Sequence, residues 1–345
     1  MKLLCKYSIE TEASRLLDSL GMVAEGFYTQ HGFYVLPYLK QEFIDKPVIV
    51  VPPLEYYSFD QSWKVFEYWP TKTDTAAINE KNIPKIVDQL YKKALFVPLS
   101  EKYLKEFTQE VHTMLEPVLE KAEALLPYLK GRNVTFTVHP THFGSGGSFT
   151  TFDFIHNKDK DINLYLYKRV DQPKEELIEL FSSSITRGIF KPSHSWRDTE
   201  AVSDFFTKYV FDLNPSYVGT IERLQNIDLL LLQQSLNYLL ELNAPLGTPL
   251  YYNKTSNHIY LINKNISTAF SPYEFRFMKI LILHANESVC FDSLANEMYN
   301  TKSDIKYSLW GITKTAQRVR DKLSGLGLPR NIVCNVKGEG FMLRN

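Results

Sequence analysis

The residues best placed to do chemistry lie near the end of this 345-residue chain. Between 305 and 323, Ile305, Leu309, Ile312, Ala316, Val319 and Leu323 recur at helical spacing. That spacing keeps them within about 40° of one helix face. Turning 100° per residue puts Lys314 opposite the stripe, with Tyr307, Trp310, Gln317 and Arg318 within about 60° of it. One face is core, and the other offers two cations, an amide and two aromatics. Arg and Gln can bond base edges through paired hydrogen bonds, and Lys and Arg neutralise phosphates. Taken alone, such a face also suits any solvated amphipathic helix.

Other reactive residue types cluster mid-chain. Gly144-Ser-Gly-Gly147 follows an alternating segment and invites a phosphate-loop reading. No Lys-Ser or Lys-Thr follows it and no helix opens after it, so a tight turn accounts for it. His139, His142, His156 and His194 surround that turn. His139-x-x-His142 could hold a metal, but Pro140 and the extended context deny it helical geometry, and no carboxylate or cysteine completes the set. Ser182-Ser183-Ser184 falls within an apolar helical pattern without a nucleophile elbow, where hydroxyls serve packing and backbone satisfaction. Residues 194–198 precede a helix, with Asp198 or Thr199 as its cap. Cys5, Cys290 and Cys334 are odd in number, scattered and without a CxxC pair, which argues against a disulfide framework or a cysteine zinc site. No catalytic residue, metal ligand or cofactor is therefore expected.

The elements that must position these groups follow from periodicity. Ala13, Leu16, Leu17 and Leu20 predict a helix over 7–24, and the β-branched run 46–52 predicts a short strand between Pro47 and Pro52. Residues 83–130 read as helical. The pattern is clearest at 104–129, where Phe107, Val111, Met114, Leu115, Val118 and Leu119 share a stripe. Strands are expected at 134–138, 152–155 and 162–167, and helices at 174–189, 199–210 and 221–242. The last, rich in leucine, is the candidate for linking or dimerising. Pro245, Gly247 and Pro249 then mark a domain boundary. Beyond it come short strands at 250–252, 259–262 and 266–268. A helix over 272–285 follows, with Ser271 as N-cap and Pro272 in its first turn, and then a short helix over 292–299 buried through Leu294, Ala295 and Met298. After the 305–323 helix, strands 332–336 and 341–343 flank Lys337-Gly-Glu-Gly340 as a hairpin.

The chain balances 39 Lys and Arg against 39 Asp and Glu, but the boundary unmixes them. Residues 250–345 hold 13 basic against 7 acidic residues (+6), and 1–249 hold 26 against 32 (−6). A basic domain on an acidic body is the charge pattern of a nucleic-acid module joined to something else. No apolar run approaches the ~18–20 residues of a membrane span. Lys2 and Lys6 interrupt the stretch a signal peptide would need. A cytoplasmic chain without a membrane partner is expected. Its 14% aromatic content argues against disorder.

Three stretches of the basic segment stand in an informative order: Phe270-Ser-Pro-Tyr-Glu-Phe275, Ala316-Gln-Arg-Val-Arg-Asp-Lys-Leu323 and Asn335-Val-Lys-Gly-Glu-Gly-Phe-Met-Leu343. They resemble the first-helix opening, the recognition-helix end and the wing of the winged-helix DNA-binding domain of OmpR/PhoB-type transcriptional regulators. The resemblance covers about 95 residues. It implies base and backbone contacts at Trp310, Thr315, Gln317, Arg318 and Arg320, beside Lys314 from the face reading, and wing contacts at Asn335 and Lys337. It also implies double-stranded DNA as partner, and paired half-sites imply a homodimer. Thr315 and Gln317 stand where many members carry more basic or imidazole side chains, so the preferred sequence would differ. Residues 1–249 are twice the length of that family's usual receiver. They lack its early acidic pair, its Asp at a strand end and its parallel βα rhythm, so phosphorylation control is not implied.

A second resemblance covers 134–210. A strand, then Pro140-Thr-His-Phe-Gly-Ser-Gly-Gly-Ser148, then strands and a helix is similar to zincin-type metallopeptidases. The corresponding helix contains no histidine and the chain contains no HExxH. This implies a degenerate peptidase scaffold without its metal ligands, serving as a pocket for a small-molecule, peptide or protein effector. The expectation is an α+β, non-enzymatic chain. A mostly helical N-terminal body with a small β-sheet (1–249) would sense an effector, and a C-terminal winged helix-turn-helix domain (250–345) would read DNA as a one-component transcription regulator. Two other classes remain open: a metal-dependent or serine hydrolase with an accessory nucleic-acid module, and an interaction adaptor that does not touch DNA.

Overall fold

The computed structural model describes residues 1–53, 83–92, 97–149, 161–187, 195–211, 218–242, 244, 246–247, 249–262, 264–299 and 308–345. The expected strand at 152–155, His156, His194, Ile305 and Tyr307 lie outside them. The chain is mixed α+β and divides into two compact units, one of residues 1–21 with 36–226 and the other of 22–35 with 227–345. The boundary expected at 249/250 therefore falls inside the second unit. No helix of the described residues is long and apolar enough to cross a membrane.

The first unit is built on a four-stranded mixed sheet. In chain order its elements are β1 (Lys2–Cys5), α1 (Ile9–Ala24, whose last turn passes into the second unit), β3 (Val48–Val50), α3 (Ile83–Lys92) and α4 (Glu101–Leu125). Next come β4 (Asn133–Thr141), β5 (Gly147–Phe149), β6 (Asp161–Arg169), α5 (Glu176–Arg187), α6 (Trp196–Phe205) and α7 (Thr220–Gln225). α2 (Phe27–His31) belongs to the second unit, and β2 (Tyr34–Leu36) ends at the division between the two. The sheet order is β1-β4-β6-β5, with β1, β4 and β6 parallel and β5 antiparallel.

Alternation along β4 and β6 puts Val134, Phe136, Val138, Ile162, Leu164 and Leu166 on one buried face. Against them pack Phe107, Val111, Leu115, Leu119, Leu177 and Phe181 from α4 and α5. Ser100 caps α4 by accepting the Tyr103 N–H at 3.2 Å. Pro140, which has no N–H to give, lies just past the end of the β1–β4 ladder, whose last bond runs from the Lys6 N–H to the Val138 carbonyl at 3.0 Å. The sequence signals missed β1, four residues whose partner lies some 130 positions away, and they missed β5. The expected 199–210 helix is α6 followed by a π-helical stretch, Phe206–Val210.

The second unit contains α2, α8 (Leu229–Glu241), β7 (Leu250–Asn253), β8 (His258–Leu261), β9 (Lys264–Asn265), α9 (Pro272–Leu283), β10 (Val289–Cys290), α10 (Phe291–Tyr299), α11 (Leu309–Gly325), β11 (Val333–Val336) and β12 (Gly340–Leu343). The single helix expected over 221–242 is broken into α7 and α8. Asp228 accepts the Leu231 N–H at 3.0 Å and so starts a new helix. The leucines of α8 form no free dimer stripe: Leu231, Leu232, Leu236 and Leu239 are fully buried. Ser235 accepts the Val35 N–H at 2.7 Å, and the Tyr34 hydroxyl accepts the Asp228 N–H at 2.8 Å. Tyr34 and Val35 thus bond to the start and the middle of α8.

β7-β8-β9 form an antiparallel sheet, and β10-β12-β11 form another. Residues 267 and 268, expected in a strand over 266–268, belong instead to a 3₁₀ helix, Ser267–Ala269. Ser271 and Glu274 close a capping box on α9, with the Ser271 N–H donating to Glu274 at 2.7 Å. Glycine is obligatory at 340, because a Cβ there would lie 1.9 Å from the Val289 carbonyl oxygen.

Candidate nucleic-acid interface

The outward side of α11 carries the densest set of exposed interaction groups singled out by the sequence. The core stripe is rotated from its expected position. Ile312, Thr315, Ala316, Val319 and Leu323 are buried, whereas Leu309 is 54% exposed. On a 100° wheel this shifts the buried centre about 25° toward Thr315. Thr315 is the correction this forces. Its hydroxyl donates to the Gly311 carbonyl at 3.0 Å and its side chain is buried, so it is not part of the exposed face.

Trp310 projects at 70% exposure, with the Lys314 ammonium 5.7 Å from its ring centroid. Gln317 and Arg318 are exposed on the same side. Lys337 is exposed in the hairpin turn beside Gly338, whose φ of 79° shapes that turn. Neither Arg318 nor Lys337 has an ion-pair partner among the described residues.

Arg320 and Asn335, expected as separate contacts, are bonded to each other. The Arg320 Nε donates to the Val333 carbonyl at 2.7 Å, its Nη2 donates to Asn335 Oδ1 at 2.8 Å, and its guanidinium lies 5.5 Å from the Phe341 centroid. This residue clamps α11 to the β11–β12 hairpin. A parallel clamp joins α11 to α9, with Lys322 Nζ 2.5 Å from Glu274. Burial would raise the Glu274 carboxyl, but Lys322 and Ser271 more than offset it and hold it below the ordinary carboxylate range. Sequence reading also passed over Asp321 and Arg330. The Gln317 amide donates to Asp321 at 3.3 Å, and Arg330 pairs with the same carboxylate oxygen.

In the first unit the polar residues mostly hold each other. The His139 and His142 side chains find separate surroundings. His139 is buried, stacks 5.3 Å from Tyr167 and has no hydrogen-bond partner at Nδ1; burial lowers its pKa to about 4. His142 sits 2.5 Å from buried Glu12, which also accepts the His142 backbone N–H. No group of three or more His, Cys, Asp and Glu residues suited to a metal occurs among the described residues. The Gly144 loop is a packed turn. Gly144, at φ 87°, exchanges both backbone bonds with Val50, and its carbonyl accepts from buried Arg169 at 2.7 Å.

Residues 176–186 of α5 are buried all round. Arg223 of α7 bonds Glu176 and Glu179 at 2.6 Å each. Burial pushes the Glu179 carboxyl up against that pull. Ser183 donates to Glu200 at 3.2 Å and Ser184 to the Phe181 carbonyl at 2.7 Å. No family model matches the chain, and no curated protein matches it at a significant level.

Proposed function

We propose that the α9–α10–α11 and β10–β12–β11 portion of the second unit acts as a winged helix that binds duplex DNA, and that the chain is a one-component transcription regulator. The observation that carries this reading is the outward face of α11. Trp310, Lys314, Gln317 and Arg318 stand exposed together, and Arg320 ties that helix to the hairpin bearing Lys337. An amide and a guanidinium for base edges, with ammonium groups for phosphates, suit a major groove flanked by backbone. The +6 charge of 250–345 supplies the long-range attraction. Residues 1–249 would then receive a small-molecule, peptide or protein effector, and two copies would engage paired half-sites.

The test is titration of the full chain with fluorescent duplexes over a range of salt. Binding should weaken steeply with salt, because each neutralised phosphate releases counterions. Replacing Arg318 and Lys337 together by alanine should flatten the log–log slope by about 2. An unchanged slope in that double variant would refute the contact face.

A further inference from the structure

Asp321 is out of place on the face just described. Measured from Lys314 it lies seven residues on, about 20° away on the helix wheel. With the buried stripe rotated toward Thr315, Asp321 sits at the centre of the outward face, between Trp310 and Lys314 in direction. A bare carboxylate there would repel phosphate oxygens.

Here the carboxylate is not bare. Arg330, in the turn before β11, pairs with Asp321 Oδ1, and the same oxygen accepts one N–H of the Gln317 amide at 3.3 Å. Gln317 is one turn before Asp321, so the chain Arg330–Asp321–Gln317 runs along the exposed surface of α11. An amide nitrogen has two hydrogens. With one given to Asp321, the amide keeps one N–H and the carbonyl oxygen Oε1 for a ligand, in a fixed sense. One donor beside one acceptor complements adenine in the major groove, where N7 accepts and the N6 amine donates.

From this geometry we infer that Gln317 reads an adenine base, and that Asp321, neutralised by Arg330, is the positioning residue that sets the sense of the amide. The inference rests on the duplex-binding reading and adds to it the base identity and the residues that determine it. Without Asp321 the amide is free to turn, and discrimination falls while the phosphate contacts remain.

The experiment uses the full chain and a pool of duplexes randomised across the central base pairs, selected by binding and sequenced. Fluorescent titration of single-base variants of the selected duplex follows. The wild-type chain should favour adenine over other bases at one position by about tenfold, the scale of one paired amide contact. Gln317→Ala should abolish that preference. Asp321→Ala should reduce it by about 1.5- to 5-fold, the scale of an exposed hydrogen-bonded pair. The same change should tighten binding to all sequences alike, because a negative charge is gone. Asp321→Asn, which retains an acceptor for the amide, should restore most of the preference, a rescue that a merely structural role would not produce.

If the Asp321→Ala chain keeps the full adenine preference, or Gln317→Ala does, the inference is overturned. A selected cytosine at that position would also overturn it, because Asp321 would then itself be accepting from the base. Binding without any sequence enrichment overturns the inference alone. Failure of the wild-type chain to bind duplex overturns the DNA-binding reading as well.

Discussion

Replacing Arg320 by alanine separates a structural clamp from a DNA contact. The guanidinium gives two hydrogen bonds, to the Val333 carbonyl at 2.7 Å and to Asn335 Oδ1 at 2.8 Å, and it packs near the Phe341 ring. Hydrogen bonds from a charged donor are worth about 1.5–3 kcal/mol each when shielded. Asn335 is exposed, so the second bond is discounted and the pair together is set at about 2 kcal/mol. For a unit of this size that loss corresponds to a melting temperature lower by roughly 5–8 °C. Calorimetry should show it, and amide exchange in β11 and β12 should accelerate. Arg320→Lys should recover little, because an ammonium cannot span both acceptors in the guanidinium's fork geometry. Salt dependence of duplex binding, measured well below the transition, should keep its slope. A variant of unchanged stability whose slope fell by about 1 would refute the clamp and make Arg320 a phosphate contact.

Three further outcomes are expected. His139 should titrate near pH 4 in an NMR experiment. Its folded pKa lies below the ordinary 6.5, so the stability it contributes is complete above pH 6.5 and is lost as pH falls toward 4; His139→Phe should flatten that acid limb, and an unchanged limb would count against it. Gly340→Ala should cost about 3 kcal/mol or more, because the added Cβ collides with the Val289 carbonyl; denaturant melts showing wild-type stability would contradict the packing. Trp310→Ala should change stability by no more than about 0.5 kcal/mol because the ring is largely exposed. It should weaken duplex binding several-fold, and equal affinity would remove Trp310 from the contact face.

Where the sequence placed elements well, the information was local. The 4–3 spacing from Ile312 to Leu323 is a property of one helix, and it marks α11 irrespective of what covers it. Ser271 and Glu274 close their capping box within four residues, and β11 and β12 meet across a turn of three residues. The alternation in β6 likewise identifies the strand and its buried face. Candidate contacts on the outer face of α11 were legible for the same reason: Trp310, Lys314, Gln317 and Arg318 follow from the helical wheel alone.

Tertiary packing decided what the wheel leaves open. Thr315 lies at the flank of the stripe and Leu309 near its other edge, and only the neighbouring elements determine which of the two is covered. Arg320 and Asn335 are fifteen residues apart, so their bond exists only once the hairpin folds back on the helix. The leucines of α8 look available for a partner in the sequence, yet they are buried, and α8 accepts its bond from Val35, a segment two hundred residues earlier. β1 pairs with a strand some 130 residues distant. The sequence by itself determined most of the long helices, the hairpin and the types of group on the exposed face, because periodicity and turn chemistry act within a few residues. Only the tertiary structure decided which of those groups remain free, because that depends on contacts between parts of the chain that no local spacing encodes.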